Sequence, residues 1–245
     1  MPTDFSNVYD DTTRAAAYDR LEFPGTYYLA YRDLPAIIAE HVKGKRAVDF
    51  GCGTGRSTRF LRNLGFDVVG VDNAEPMVEL ALKRDPQGDY RCFPDGNLDP
   101  LGANTYDLVL SVFTFDNIPT MEKKVRLFAA LGRLLAPSGR IVNLVSSPEI
   151  YVNEWASFST KDFPENRTAK SGEKVRIIML DVEDRRPVED IVWSDEDYGK
   201  VYTLSGLTPM KAYKPLGNEQ EPYTWVNETR IAPWTVYVLK RKMKQ

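Results

Sequence analysis

The chain reads as an α/β fold, an open and mostly parallel sheet with helices on both faces, and three observations predict it. Short apolar runs of strand length alternate with stretches of helical periodicity between residues 44 and 147, the pattern left by strands joined through right-handed crossovers. The stretch AVDFGCGTGRSTRFL, Ala47 to Leu61, puts glycines at 51, 53 and 55 between an apolar run and a helical pattern. After Ser147 the rhythm changes to short strand-like runs joined by a charged turn, as an antiparallel hairpin requires.

The elements follow in order. Tyr27, Leu34, Ile37, Ile38 and Val42 recur at helical spacing from Thr26 to His41, with Pro35 interrupting and Lys43-Gly44 as a stop. RAVDFG is a short buried strand ending at Gly51. A helix runs from about Arg56 to Asn63, closed by Leu64-Gly65. DVVGVD, Asp67 to Asp72, is the second strand. The next helix begins near Glu75-Pro76, where proline suits the first turn, and carries Met77, Val78, Leu80 and Ala81. DYRCF, YDLVLSVF and RIVNLVS are the third, fourth and fifth strands, and a helix from about Met121 to Leu135, closed by APSGR, joins the last two. KVRIIML and VEDIVW then form the hairpin across DVEDRRP. SDEDYGKVYTLSGL has an N-cap serine, an acidic first turn and a glycine stop, hence a helix. MKAYKPL and WTVYVLKRK are the last two strands.

Composition narrows the class. At 245 residues, 42% hydrophobic and 27% charged, the chain suits one large domain with a substantial core. No segment approaches 18 consecutive apolar residues. The start, MPTDFSNVYDD, lacks the positive and apolar parts of a secretory signal, so a cytoplasmic address is expected. Cys52 and Cys92 have no metal-ligand spacing and read as reduced thiols, and no metal site is expected. A net charge of -3 offers no electrostatic footprint for nucleic acid, and the basic tail LKRKMKQ reads as a solvated end. Asn166-Arg167-Thr168 and Asn227-Glu228-Thr229 fit the glycosylation pattern, which carries no meaning in a cytoplasmic chain.

The glycine spacing separates three ligand classes. A P-loop needs four residues between its glycines and then Lys-Ser/Thr, whereas only three separate Gly51 from Gly55, which Arg56-Ser57 follows. A dinucleotide fingerprint needs a glycine where Arg56 stands. What remains is Asp49-x-Gly51-x-Gly53-x-Gly55, which resembles motif I of the class I S-adenosylmethionine-dependent methyltransferases. Three further stretches carry the resemblance. Asp72 ends the second strand, where that family places the acid that accepts from both ribose hydroxyls. Asp95-Gly96 resembles the loop that meets the adenine. YDLVLSVFTFDNIP and LGRLLAPSGRIV resemble the fourth-strand motif and the turn before the fifth strand, with Ser138 in place of the first glycine of the turn.

The resemblance covers roughly residues 44–147 and implies a Rossmann-like seven-stranded sheet, its last strand inserted antiparallel beside the sixth. It implies one methyltransferase domain: an N-terminal helical lid over 1–43, a cofactor-binding core over 44–147, a substrate-cover insertion over 148–193, and a helix with the last two strands over 194–245. The implied cofactor is S-adenosyl-L-methionine, held by Tyr18, Tyr27, Asp49, Gly51, Cys52, Gly53, Asp72, Asn73, Asp95, Gly96 and Phe113. The implied activity is methyl transfer to N or O of a small molecule, mainly by proximity and alignment.

Asp116 and Asn117, just past the fourth strand, are the catalytic candidates, Asp116 to orient an amine or act as base. Tyr9, Phe115, Trp155 and Trp193 are candidate substrate contacts, with Phe158 a further wall. The lone histidine, His41, reads as a surface or packing residue, so no histidine pair is available for acid-base work. Monomer and homodimer stay open. Two other readings remain: a catalytically silent cofactor-binding module, and a nicotinamide-dependent oxidoreductase, which Arg56 disfavours.

Overall fold

The computed structural model describes residues 24–94 and 96–242. Tyr9, Tyr18 and Asp95, named above as site candidates, lie outside the described residues. Two helices open the described chain, α1 (Thr26–Arg32) and α2 (Leu34–His41). Pro35 divides them: it has no N–H to give and its ring collides with the preceding turn, so it is accommodated at the start of α2.

The core alternates as expected through β1 (Arg46–Phe50), α3 (Arg56–Asn63), β2 (Asp67–Asp72), α4 (Glu75–Arg84), β3 (Asp89–Cys92), β4 (Tyr106–Val112), α5 (Met121–Leu134) and β5 (Leu135–Ser146). β5 begins five residues earlier than Arg140. Its register against β4 jumps from Tyr106↔Leu135 to Leu108↔Arg140, so the APSG stretch loops out of a ladder that continues on both sides. A Cβ on Gly139 would stand 2.6 Å from the Tyr106 carbonyl oxygen, which accounts for the glycine the turn retains.

Beyond the core lie β6 (Phe158–Ser159), β7 (Lys174–Met179) and β8 (Val188–Ile191), then α6 (Asp195–Leu204), β9 (Leu207–Tyr213) and β10 (Trp234–Arg241). The hairpin is present as β7 and β8, antiparallel, and the short β6 joins it to make a three-stranded sheet. Two residues are too few to show a period, and β6 was not legible beforehand. Ser194 caps α6 as expected, accepting the Asp197 N–H at 3.1 Å. β9 starts at Leu207, three residues before the expected MKAYKPL, because Gly206 at φ 74 releases the chain from α6 directly into the strand. Pro209 within it is tolerated because β9 is an edge.

The main sheet has seven strands in the order β3-β2-β1-β4-β5-β10-β9. All neighbours are parallel except β10, which runs antiparallel to both β5 and β9. Strand alternation sends successive residues to opposite faces. Ala47, Leu108, Leu110, Val142 and Leu144 join one core with α1, α2 and the apolar face of β7. Val48, Val109 and Ile141 join the other with Phe128 and Leu131 of α5 and Tyr198, Val201 and Tyr202 of α6. Each such fully buried aliphatic side chain contributes about 1.5–3 kcal/mol. The three-stranded sheet therefore covers the same sheet face as α1 and α2. No helix among the described residues is long and apolar enough to cross a membrane.

Candidate functional site

The strand order reverses between β1 and β4, and the loops leaving their carboxyl ends separate there to open a crevice. A cleft of about 760 Å³ occupies it, lined by the glycine loop after β1, Asp72 and Asn73 after β2, Phe93 and Gly96 after β3, and Phe113, Thr114 and Asn117 after β4. The size falls within the range of small-molecule and cofactor pockets, about 300–1,000 Å³.

The glycine loop is fixed by its backbone. Gly51 and Cys52 both donate N–H groups to the Val71 carbonyl, at 2.8 and 2.9 Å. All three glycines have positive φ, but for different reasons. A Cβ on Gly51 would lie 2.1 Å from Thr114 Oγ1, and one on Gly55 would lie 2.6 Å from the Tyr90 ring. These two glycines serve packing. A Cβ on Gly53 would meet nothing within 4 Å among the described residues, so bare backbone there borders the cleft that Gly53 lines. Gly53 also donates its N–H to Asp72 Oδ2 at 2.8 Å, and Ala74 donates to Asp72 Oδ1 at 2.9 Å. The carboxylate at the end of β2 is thus held by two backbone donors.

Asp49 is fully buried. Its Oδ2 accepts from Ser57 Oγ and Thr58 Oγ1, each at 2.6 Å, which ties the start of α3 to the end of β1. Its Oδ1 has no hydrogen-bond partner among the described residues. Burial pushes its carboxyl up to about 6, against the two hydroxyl donors. Burial likewise raises the Cys52 thiol well above its usual range, so Cys52 lines the cleft as a small apolar wall.

A smaller cavity of about 50 Å³ adjoins the cleft, and Phe113 and Asn117 line both. It sits between β4, β5 and the three-stranded sheet, walled by Tyr27, Phe158 and Trp234 and carrying Asp116, Tyr151 and Asp190. Phe113 is held at φ 61, a left-handed conformation rare for a residue with a Cβ and costing about 1–3 kcal/mol. Asn117 spans the turn, its Nδ2 donating to the Phe113 carbonyl at 3.4 Å. The Ser146 N–H donates to Asp116 Oδ2 at 3.0 Å, and Tyr151 Oη donates to Asp190 Oδ2 at 3.1 Å. Burial raises both carboxyls above the usual carboxylate range, and the Asp116 charge raises Asp190 further. Lys124, fully buried on α5, is pulled down by burial and partly held up by Asp116. Its Nζ donates to the Phe115 carbonyl and, at 3.4 Å, to Tyr198 Oη.

The expected site residues divide accordingly. Gly51, Cys52, Gly53, Asp72, Asn73, Gly96, Phe113 and Asn117 line the large cleft. Tyr27, Asp116 and Phe158 line the small cavity. Phe115, Trp155 and Trp193 line neither of these two. Phe115 stacks on Phe128 at 3.8 Å, Trp155 donates its Nε1 to the Ile150 carbonyl at 2.8 Å inside the core, and Trp193 packs over Lys124 Nζ at 4.9 Å. His41 packs against Tyr213, its Nε2 2.7 Å from Tyr213 Oη.

Asp190 and Lys124 were missed, though each left a signal. Asp190 stands on the same strand alternation as Val188 and Val192, an acid on an otherwise apolar face. Lys124 precedes Phe128 and Leu131 at four and seven residues, a cation on the buried face of α5.

A family model described as a methyltransferase domain matches residues 48–143. The chain is 23% identical over 202 residues to an N-demethylindolmycin N-methyltransferase of Streptomyces griseus, covering 81% of this chain and 83% of that one. It is 32% identical over 98 residues to a ubiquinone biosynthesis O-methyltransferase of Bordetella avium, but that match spans only 38% of this chain and 41% of the relative. A crystal structure of an S-adenosylmethionine-dependent methyltransferase from Clostridium acetobutylicum shares the fold at a TM-score of 0.62 and 15% identity, covering 96% of this chain and 97% of that one.

Proposed function

We propose that this chain, which belongs to the class I S-adenosylmethionine-dependent methyltransferases, transfers the methyl group to a nitrogen or oxygen of a small molecule. The observation that carries the reading is the adjacency of two cavities at the strand ends, a large one beside Gly53 and Asp72 and a small one beside Phe113. The former suits a nucleoside cofactor and the latter a small acceptor group.

S-adenosylmethionine brings a methyl group on a positively charged sulfur, a good leaving group that needs no further activation. The chain's residues then bind and align. Asp72, its carboxylate held at the mouth of the cleft by two backbone donors, accepts from the ribose hydroxyls. Gly53 lets the cofactor approach bare backbone. Gly96 and Asn73 line the wall on the nucleoside side, with Asp95 and its role in meeting the adenine kept as a proposal from sequence. Phe113 and Asn117, common to both cavities, stand where acceptor and methyl meet. Alignment to within about 3–3.5 Å accounts for most of the rate gain expected of such an enzyme.

The small-molecule acceptor draws support from the names of the Streptomyces and Bordetella relatives and from the absence of a basic excess in the sequence. The experiment is turnover of S-adenosylmethionine with a panel of amines, phenols and carboxylates, read by mass spectrometry of the acceptor. Formation of a methylated product with S-adenosylhomocysteine is the expected result. Tight cofactor binding with no acceptor consumed across the panel would favour the silent-module reading instead.

A further inference from the structure

We propose that the acceptor is an amine, bound as its ammonium ion in the small cavity between the carboxylates of Asp116 and Asp190 and the aromatic faces of Tyr27, Phe113 and Trp234. This rests on the reading of the larger cleft as the cofactor site.

Three features of the cavity select that chemistry. Three donors beside the cavity are engaged: Ser146 N–H on Asp116, Tyr151 Oη on Asp190, and Asn117 Nδ2 on the Phe113 carbonyl. Asn117 Oδ1, by contrast, is buried without a hydrogen-bond partner among the described residues. With the two carboxylates it offers acceptor capacity that a donating occupant matches. The charge is also unbalanced. Among the described residues, the cation whose charge acts on Asp116, 4% exposed, is Lys124, which is committed to the Phe115 carbonyl and Tyr198 and does not line the cavity, and none acts on the partly buried Asp190. Two carboxylates with one cation outside the cavity leave a place for a second positive charge. The remaining walls are aromatic: the Phe113 and Trp234 rings lie 4.8 Å apart and Tyr27 stacks on Trp234 at 5.8 Å. Aromatic faces attract a cation and offer an alcohol little beyond burial.

The same carboxylates serve the chemistry. An ammonium ion has no lone pair and must lose a proton before it reacts. Burial brings Asp116 up to about 6, and burial with the charge of Asp116 brings Asp190 up to about 7, closer to an ammonium than an ordinary carboxylate lies. One proton passes from the ammonium to this pair. The freed nitrogen lone pair forms the bond to the methyl carbon as the carbon–sulfur bond breaks, and that bond's electron pair stays on sulfur. The products are an N-methylated ammonium ion and a neutral thioether, and the carboxyl proton leaves to solvent. Among the described residues the Asp190 carboxylate accepts only from Tyr151, which leaves it able to act as proton acceptor.

The test is calorimetric binding of methylammonium and phenethylammonium against their neutral counterparts, methanol and 2-phenylethanol, to the full chain saturated with S-adenosylhomocysteine. At least one ammonium probe is expected to bind tenfold or more tightly than its counterpart. In Asp190→Asn, which keeps an acceptor for Tyr151, that preference falls to within about twofold while S-adenosylhomocysteine affinity is unchanged. Failure of both ammonium probes to outbind their counterparts overturns the proposal, as does an undiminished preference in the variant. If S-adenosylhomocysteine itself does not bind, the reading of the larger cleft falls first and is seen to fall separately.

Discussion

Gly53 donates its backbone N–H to Asp72 Oδ2 at 2.8 Å, so the tip of the β1 loop and the acid ending β2 form one unit at the mouth of the cleft. Removing the carboxylate frees the loop and deletes two acceptors together. Asp72→Ala is expected to weaken S-adenosylhomocysteine binding by about 1.5–3 kcal/mol, roughly ten- to a hundredfold, with Asp72→Asn between it and the natural chain. Calorimetry on folded protein checks this, and unchanged affinity in Asp72→Ala would remove Asp72 from the cofactor site.

The three glycines are expected to separate by phenotype. Gly51→Ala drives a Cβ into Thr114 and Gly55→Ala drives one into Tyr90, each on a backbone that already disfavours a side chain. Both lower Tm. Gly53→Ala meets no atom of the described residues, so its expected stability cost is the left-handed backbone, about 1 kcal/mol. Its main effect falls on cofactor affinity, because the methyl occupies cleft space. Thermal melts alongside calorimetry distinguish the two patterns, and an affinity loss confined to Gly51→Ala would reverse the assignment.

Local chemistry explains what the sequence made legible. Strand β1, the glycine loop and α3 are coded by adjacent residues, and β2 with Asp72 follows one crossover later, so both could be read in order. The small cavity has no such local code. Tyr27, Phe113, Asp190 and Trp234 come from four separated segments that meet only when β10 inserts beside β5 and the three-stranded sheet folds over. Trp155 and Trp193 illustrate the same limit in reverse, since aromatic residues in a substrate cover and in a core look alike until their neighbours are known. β6, at two residues, exists because β7 supplies its partner rather than because its own residues demand a strand.

The buried acids make stability fall as pH rises. Asp116 and Asp190 have folded pKa values above the unfolded one, so the folded state holds more protons across the window from about 4 to about 7. Unfolding free energy decreases over that window and the penalty is fully present above it. Asp190→Asn removes one charge and the repulsion it exerts on Asp116. The variant is expected to match the natural chain at pH 4.5 and to exceed it by about 1–3 kcal/mol at pH 8. Urea denaturation at the two pH values checks the difference, and an equal gain at both would mean that packing, not charge, is responsible.

Lys124 and Asp116 are expected to be energetically coupled although no direct ion pair joins them. Lys124→Met deletes the donor to the buried Phe115 carbonyl and the one nearby cation opposing Asp116, whose charge then faces Asp190 alone. The first loss costs about 1–3 kcal/mol at any pH. The second appears only where Asp116 is ionised and Lys124 still charged, between about 6 and about 7, because burial brings Lys124 down to about 7. In the double variant Lys124→Met with Asp116→Asn there is no Asp116 charge left to strand, so its destabilisation should be smaller than the sum of the single effects by at least about 0.5 kcal/mol near pH 6.5. That coupling should shrink towards zero at pH 4.5, where the carboxyl is neutral in either background. Additive energies near pH 6.5 would show that the two buried groups do not share a field.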